Sequence, residues 1–412
     1  MTIPLPATGT AWPELKARMV ASAEGDVKWR DGKTAVYVFN AGPEVEQVQK
    51  EAYALFMSEN GLGPLAFPSL ARMEAEVVGF GLSLLNAPEG ASGAITSGGT
   101  DSITMALKAA RDYAREEKGV QGPLNIVLPR SAHPAFDKAA AVMEIEVRRA
   151  PLKDFLADPA AMATASDAAT VMIVGSAPCF PFGLIDPITA LSDLAVERDL
   201  WLHVDACVGG YLAPFVRMNG VDLPAFDFAL PGVRSMSADL HKYGYCAKGA
   251  STVLFRSAAL QAFMVFDQND WPGGRMITPT LAGTRPGGAI SAAWAVMNFL
   301  GVEGYRAKQG VVTATRARIE AGVRALGFTV IGEPKLGLLA FTHPEAGAFP
   351  LWAKLRSRGW FTSMTSEPPG LHLMLSPFHA EVAETYLADL AWALREARGE
   401  TAAPIQAAAR YS

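Results

Sequence analysis

Residues 201–206 read Trp201-Leu-His-Val-Asp205-Ala, a short apolar run that ends in a carboxylate. Runs of this length, rich in apolar and β-branched residues, are typical of buried β-strands. The predicted strands are Leu124–Leu128, Val171–Val174, Trp201–Val204 and Ser251–Phe255. Amphipathic stretches between them predict helices at Asp101–Glu117 and Pro187–Arg198. This alternation predicts an α/β fold with a mostly parallel sheet and helices on both faces.

The pattern changes after Gly304, where a second and smaller α+β unit is predicted. Its predicted helices are Tyr305–Leu326, Pro350–Gly359 and His379–Arg398, and its predicted strands are Phe328–Ile331 and Leu336–Thr342. We therefore expect an N-terminal arm (1–57) with one helix at Glu44–Ser58, a large domain (58–305) and a small domain (306–412), because one core rarely organises so long a chain. The last dozen residues, rich in Ala, predict a loose tail.

Composition excludes several classes of protein. The 412 residues carry a net charge of −5 without a basic stripe, which argues against a nucleic-acid partner. The three cysteines have no disulfide or metal-ligand spacing, so we expect a reducing cytoplasm and no metal site. No signal peptide and no apolar run near the ~20 residues of a membrane span is found, so no membrane anchor is expected.

A lysine stands in an unusual context in Ser237-Ala-Asp-Leu-His241-Lys242-Tyr-Gly-Tyr, between two predicted strands. Surface lysines usually lie on polar helix faces. Partial burial beside aromatic rings lowers the pKa of an amine, which a Schiff-base lysine requires. Taken alone, the motif is weak evidence for catalysis.

Asp205 is predicted at the carboxyl end of its strand, where open α/β sheets bind ligands. A buried carboxylate needs a cationic partner, and a protonated pyridine nitrogen would be one. Read by itself, the same residue could instead cap the following helix.

Two small-residue loops could hold an anion. Thr96-Ser-Gly98-Gly99-Thr100-Asp101 opens a predicted helix, whose N-terminal N–H groups and dipole favour a phosphate. It matches neither the Walker loop nor the dinucleotide fingerprint. A similar loop, Gly283-Thr284-Arg-Pro-Gly-Gly288, lies further along the chain.

His133, in Ser131-Ala-His133, follows the strand that ends near Leu128, so its ring could lie against an aromatic cofactor. A phosphate loop, a ring-facing His, a pyridine-facing Asp and a Schiff-base Lys thus occur in one order near strand ends. A pyridoxal 5′-phosphate (PLP) site requires this combination, and no single structural role explains all four residues.

The sequence resembles the sphingosine-1-phosphate lyase branch of the group II PLP-dependent decarboxylase family. The matching stretches are TSGGTDSITMALKAARDYA, LPRSAHPAFDKAA, VGSAPCFPFGLIDPI, LHVDACVGGYLAPF, SADLHKYGYCAKG and GTRPGGAISAAWAVMNFLG. GKTAVYVFN and FPSLARMEAEVVGF also fit, so the resemblance runs from about residue 30 to 310.

The resemblance implies the aspartate-aminotransferase fold (fold type I), with a seven-stranded sheet in the large domain, and a homodimer whose active sites lie at the subunit interface. Lys242 would carry the cofactor as a Schiff base, Asp205 would face the pyridine nitrogen and His133 would stack on the ring. The implied phosphate and cofactor contacts are Gly98, Gly99, Thr100, Ser237, His241, Gly283 and Thr284, with Thr284 arriving from the neighbouring subunit. Lys248 and Tyr37 match further active-site positions.

Two departures from the family pattern bear on the substrate. Gly63, in Asn60-Gly-Leu-Gly63-Pro-Leu-Ala-Phe67, stands where lyases of this branch have a His that grips the substrate phosphate. Another His is lost at Val36-Tyr37-Val38-Phe39. Both losses argue against a phosphorylated sphingoid base.

The working hypothesis is a carbon–carbon lyase that cleaves a 2-amino alcohol to an aldehyde and an amine. The alternatives are an amino-acid decarboxylase with the same cofactor residues, since substrate alignment decides which bond breaks, and a catalytically silent PLP-binding protein. A metal hydrolase is disfavoured because the sequence has no ligand cluster.

Overall fold

A computed structural model describes residues 1–397 of the chain. The predicted Ala-rich tail and Arg398, the last residue of the final predicted helix, lie outside this range. Within it, no helix combines the length and the apolar character that crossing a bilayer needs.

Helices and strands alternate along most of the chain. The helices are α1 Trp12–Ser22, α2 Pro43–Leu55, α3 Pro68–Leu84, α4 Gly99–Glu116, α5 Ala135–Val142, α6 Pro159–Ala165, α7 Ile188–Glu197, α8 Ala213–Met218, α9 Ala258–Ala262, α10 Gly287–Ala325, α11 Ala348–Ser357 and α12 Ala383–Glu396. The strands are β1 Ser92–Thr96, β2 Asn125–Pro129, β3 Glu146–Ala150, β4 Leu152–Lys153, β5 Leu156–Ala157, β6 Thr170–Ser176, β7 Trp201–Asp205, β8 Val233–Ala238, β9 Ser251–Phe255, β10 Phe266–Gln268, β11 Met276–Thr278, β12 Thr329–Val330, β13 Leu338–Thr342, β14 Ser363–Ser366 and β15 Pro369–Met374.

A seven-stranded sheet with the order β1-β9-β8-β7-β6-β2-β3 forms the centre of the molecule. The strands from β8 to β3 pair in parallel, whereas β9 is antiparallel to both of its neighbours. All strands except β9 therefore end at the same edge. Leu202 and Val204 pack into one apolar cluster while Trp201 packs into another, so β7 is buried on both faces. The predicted mostly parallel sheet with helices on both faces is what the structure has.

Three strands of this sheet were not predicted, for identifiable reasons. The sequence of β1 is SGAIT and that of β8 is VRSMSA, both short of large apolar residues. The edge strand β3, EVRRA, is charged because only part of it is buried. These strands depend on their neighbours in the sheet more than on local propensity.

The long helix α10 passes through the predicted boundary between the two domains. Gly301 has φ 54° and ψ −174°, which interrupts the helix four residues before the predicted start of Tyr305–Leu326. A four-stranded antiparallel sheet, β12-β13-β15-β14, follows, and its strands all come after α10. The bounds at residues 57 and 305 remain a prediction.

The N-terminal segment differs from the predicted arm with a single helix. It contains α1, in which no residue is buried, as well as α2, which ends at Leu55 rather than at Ser58. Backbone bonds from the Ala35 N–H to the Phe361 carbonyl and from the Met374 N–H to the Ala35 carbonyl attach this segment to the small sheet. Residues 34–39 are thereby fixed beside the carboxyl edge of the large sheet.

Tyr243 connects the turn after β8 to the small sheet. Its buried hydroxyl donates to the Leu375 carbonyl at 2.7 Å and lies 3.2 Å from the Gly337 carbonyl. Tyr386 is equally buried, but its hydroxyl has no partner among the described residues. The two tyrosines form a matched pair for measuring the value of this hydrogen bond.

We expect Tyr243→Phe to lower the free energy of unfolding by about 1–2 kcal/mol, because buried carbonyls lose their donor. Tyr386→Phe should leave it unchanged or raise it, since an unpaired buried hydroxyl is removed. Urea unfolding midpoints of the two variants test this. Equal losses in both would show that the hydroxyl of Tyr243 contributes nothing.

Candidate active site

A cavity of about 480 Å³ opens at the carboxyl edge of the large sheet. It lies between this edge, residues 36–39 of the N-terminal segment and the end of β15. Nine of the predicted site residues line it: Tyr37, Gly98, Gly99, Thr100, His133, Asp205, His241, Lys242 and Lys248. Among the described residues, no group of His, Cys, Asp and Glu side chains has the arrangement that holds a metal ion.

Lys242 reaches the cavity from the turn after β8. Its Nζ lies 2.9 Å from Oδ2 of Asp239, a residue that the sequence analysis did not single out. Burial is the largest single influence and lowers the pKa of the Lys242 amine, but Asp239, with smaller contributions from Cys207 and Asp205, more than offsets it and raises the pKa above its ordinary value. The expectation that burial beside aromatic rings leaves this amine with a lowered pKa is therefore wrong. The amine is held as an ammonium.

Asp205 ends β7, as predicted, and is almost fully buried. Its Oδ1 accepts hydrogen bonds from the Cys207 N–H at 3.1 Å and from the Ser237 hydroxyl at 3.3 Å. Ser237 does not line the cavity. It pairs with Asp205 on the neighbouring strand β8 and supports the carboxylate, and its predicted contact with a cofactor stays a prediction.

The first turn of α4 forms one wall of the cavity, and its N-terminal N–H groups lack partners within the helix. Asp101 stabilises this turn by accepting from the Ser97 N–H at 2.9 Å and from the Ser97 hydroxyl at 3.0 Å. A Cβ at position 99 would lie 2.7 Å from the Cys207 Sγ and 3.0 Å from the Asp239 carboxylate. Only glycine fits there, which leaves the backbone open to an anion.

His241 completes this end of the cavity. Its Nε2 lies 3.7 Å from Oδ2 of Asp239, while its buried Nδ1 has no partner among the described residues. Burial lowers the pKa of the imidazole and the Asp239 carboxylate opposes that shift. An unpartnered ring nitrogen beside the first turn of α4 has the chemistry to bind a phosphate oxygen.

His133 lines the cavity beyond the end of β2. Its Nδ1 accepts the Ala135 N–H at 3.1 Å, which assigns the proton of the neutral ring to Nε2. Burial lowers the pKa of His133, so the ring is neutral near pH 7. A neutral imidazole is suited to lie against an aromatic ring.

Tyr37 and Lys248 meet at the mouth of the cavity. Tyr37 has φ 66°, and the Val38 N–H donates to the Val36 carbonyl at 2.8 Å, which makes a strained γ-turn. The Lys248 amine donates to the Tyr37 carbonyl at 2.9 Å and to the His241 carbonyl at 3.2 Å. Lys248 is exposed as a residue, but protein atoms crowd its amine. This burial and the charge of Lys242 lower its pKa to about 8.

Apolar side chains form the remaining wall. Phe39, Phe180 and Met374 line the cavity, and the Phe180 ring lies 4.7 Å from the buried ring of His372. The sequence analysis did not single out this wall because its members come from three distant segments, and Phe39 and Phe180, although they lie in matching stretches, carry no polar group that marks a site.

Gly283, Thr284 and Gly63 do not line the cavity of their own chain. Asn60 holds the two stretches together, since its Nδ2 donates to the Thr284 hydroxyl at 3.3 Å and its Oδ1 accepts the Arg285 N–H at 3.2 Å. The Gly61 N–H also donates to the Arg285 carbonyl at 2.9 Å. The stretch that contains Gly63, where the family has a His, therefore lies beside the second glycine-rich loop.

Comparisons with known proteins identify the family of this chain. The family model described as the pyridoxal-dependent decarboxylase conserved domain matches residues 27–343. A sphingosine-1-phosphate lyase of Oryza sativa is 40% identical over 375 residues, which are 89% of this chain and 69% of the relative. A probable L-tyrosine/L-aspartate decarboxylase of Methanothermobacter thermautotrophicus is 35% identical over 80% of this chain and 88% of its own length.

A solved sphingosine-1-phosphate lyase of Burkholderia pseudomallei superimposes with a TM-score of 0.92 at 38% identity, covering 97% of this chain and 94% of that one. The predicted family, fold class and cofactor are confirmed. The chain belongs to the pyridoxal-dependent decarboxylase family and is a lyase that uses PLP.

Proposed function

We propose that this enzyme cleaves the bond between the amine-bearing and hydroxyl-bearing carbons of a 2-amino alcohol, releasing an aldehyde and an amine. The observation that carries the proposal is the cavity that contains Lys242, Asp205 and Lys248 together. The 40% identity to a sphingosine-1-phosphate lyase over most of the chain supports a reaction of the same class.

The residues present fit PLP by three observations. The cavity volume of about 480 Å³ lies within the roughly 300–1,000 Å³ of small-molecule sites. The first turn of α4 offers free N–H groups beside Gly99, where no side chain fits. The buried Nδ1 of His241 lacks the partner that a phosphate oxygen would provide.

In this proposal Lys242 would hold the cofactor covalently and Asp205 would pair with the pyridine nitrogen. Gly98, Gly99, Thr100 and His241 would bind the phosphate, and the neutral ring of His133 would pack against the pyridine. Bound PLP supplies an aldehyde that captures amines and a ring that accepts the electron pair released at the substrate carbon. Ser237 keeps Asp205 in place through its hydrogen bond.

Lys248 is the proposed base for the substrate hydroxyl. An amine with a pKa of about 8 is partly neutral at physiological pH, so it can accept a proton. Its hydrogen bond to the Tyr37 carbonyl places it at the mouth of the cavity, where a substrate enters. Tyr37 contributes its ring to the same rim.

Amino-acid decarboxylation is the second candidate, favoured by the 35% identity to the archaeal relative. The same cofactor residues would serve it, because alignment of the breaking bond with the ring decides the outcome. Within residues 1–397, the lining of the cavity includes no arginine, the side chain best suited to hold a substrate carboxylate.

A homodimer with shared active sites is also proposed. Exposed apolar side chains cluster in sequence around the two stretches that Asn60 joins: Leu55, Met57, Leu65, Trp271 and Leu281. If a second copy covered these side chains, Thr284 and Gly63 of one copy would lie at the cavity of the other. We place the enzyme in the cytoplasm, where the three free and buried cysteines remain reduced.

The test of the reaction class is to incubate the PLP-loaded enzyme with 2-amino alcohols and with amino acids and to measure both products. We expect one aldehyde for each 2-amino alcohol consumed and no carbon dioxide from amino acids. Carbon dioxide without aldehyde would exclude the proposed cleavage and establish the second candidate.

We expect kcat/KM to rise with pH through about 8, because the neutral form of Lys248 is the active base. Lys248→Met should remove this rise of kcat/KM with pH and lower kcat/KM by about 100-fold or more. Lys248→Arg keeps a positive donor near Tyr37 but cannot lose its proton, so it should behave like Lys248→Met. If Lys248→Arg kept the rise of kcat/KM with pH, Lys248 would be ruled out as the base.

Gly63→His should favour phosphorylated substrates. A charge-assisted hydrogen bond of about 1.5 kcal/mol or more raises kcat/KM for a phosphorylated 2-amino alcohol about tenfold relative to its unphosphorylated analogue. Gly63→Ala is the control, because a Cβ there approaches only Ala66, at 3.7 Å. An unchanged ratio in Gly63→His would remove position 63 from substrate selection.

A further inference from the structure

Asp239 is a buried carboxylate located between two of the proposed cofactor-binding residues. It lies one residue beyond β8 and is 2% exposed. Its Oδ2 is 2.9 Å from the Lys242 Nζ and 3.7 Å from the His241 Nε2. Its Oδ1 has no partner among the described residues. Neither the family motifs of the sequence analysis nor the proposed function gives this carboxylate a role.

A carboxylate at this place needs a physical explanation. It lines the same cavity wall as Gly99 and would repel the phosphate that the first turn of α4 is suited to bind. Burying it is costly unless a cation accompanies it. The Lys242 ammonium accompanies it, whereas burial and the nearby lysine charges lower the pKa of His241 and keep its ring neutral near pH 7. The two groups differ in one respect: Lys242 gives up an ammonium proton to bond to an aldehyde, whereas His241 keeps both ring nitrogens and can take up a proton once the Lys242 charge is reduced.

The difference matters when the Lys242 amine condenses with the cofactor aldehyde. The neutral amine of Lys242 bonds to the aldehyde carbon of the cofactor, one C=N bond forms and one water leaves. The ammonium must first release a proton, and Asp239 opposes that release. After condensation, His241 remains as the nearest group that can carry a charge opposite the carboxylate. Its Nε2 faces Asp239, so a doubly protonated ring has its Nδ1 N–H available for the phosphate.

We propose that Asp239 is a positioning residue that holds the Lys242 ammonium before the cofactor arrives and afterwards holds His241 as a protonated donor to the cofactor phosphate. The inference rests on the proposed role of Lys242. Asp239 thereby makes covalent attachment slow for aldehydes that lack a phosphate and selective for the one that carries it.

Other charged or titratable groups face this pair, and their contributions are of both signs. Burial would raise the pKa of Asp239, but Lys242 and His241 lower it, so the carboxylate stays ionised. Asp205 and Cys207 act on Lys242 in the same direction as Asp239 does. The groups that surround the pair are Asp101, His133, Asp205, Cys207 and Lys248.

The test uses cofactor-free enzyme and two aldehydes, pyridoxal and PLP, with borohydride trapping and mass mapping of the modified lysine. Asp239→Asn should increase the rate of labelling by pyridoxal at pH 7.5 by tenfold or more, which corresponds to a fall of about one unit in the lysine pKa. The same variant should lower the affinity for inorganic phosphate, measured by its competition with PLP, by about threefold or more. Asp239→Glu, which keeps the charge, should resemble the wild type in both measurements. Lys242→Ala should give no adduct.

The wild-type protein provides a measurement that does not depend on folding of the variants. The pH dependence of pyridoxal labelling should give an apparent lysine pKa at or above the ordinary value of about 10.4. An apparent lysine pKa below 9 in the wild type would overturn the role of Asp239. The same conclusion would follow if wild type and Asp239→Asn had identical pH profiles of pyridoxal labelling and if inorganic phosphate competed with PLP equally well in both. Labelling of another lysine in the wild type would instead overturn the proposed role of Lys242, so the two failures are distinguishable.

Discussion

The burial of charge at the carboxyl edge of the sheet is the constraint on which the rest of the site depends. Asp205, Asp239 and Lys242 all face one cavity, and each would be costly to bury without a partner. The structure meets this cost locally. Ser237 and the Cys207 N–H support one carboxylate, and the Lys242 amine neutralises the other. Because these groups come from neighbouring parallel strands, the order of the sheet is what brings them together.

Much of this arrangement follows from local sequence. Fully buried strands are continuous apolar runs, so Trp201–Asp205 and Ser251–Phe255 were predicted to within one residue. The first turn of α4 was predicted because small residues preceding a helix expose backbone N–H groups. The position of Asp205 followed from the rule that parallel strands of an α/β sheet present ligand-binding residues at their carboxyl ends.

The remainder depends on contacts that a linear pattern does not contain. Asp239 precedes Lys242 by three residues, and nothing in the string SADLHK tells which of its side chains turn inward. Ser237 was predicted to contact the cofactor, and the local sequence did not show that its hydroxyl donates to Asp205; the cofactor contact stays a prediction. Thr284 and Gly63 do not line the cavity of their own chain, and the role proposed for them depends on a second copy of the chain. The apolar wall of Phe39, Phe180 and Met374 is assembled from three distant segments.

The cavity has walls from segments far apart in the sequence, since both Val36 and Met374 line it. Backbone bonds between residues 33–35 and the strands near Phe361 and Met374 close this long loop. Contacts of such high sequence separation form late, because closing the loop costs entropy before any contact repays it. During synthesis on the ribosome, the coenzyme therefore meets an incomplete pocket until β15 has emerged. A nascent chain interrupted before β15 would have the reactive amine but would lack the cavity wall that Met374 forms.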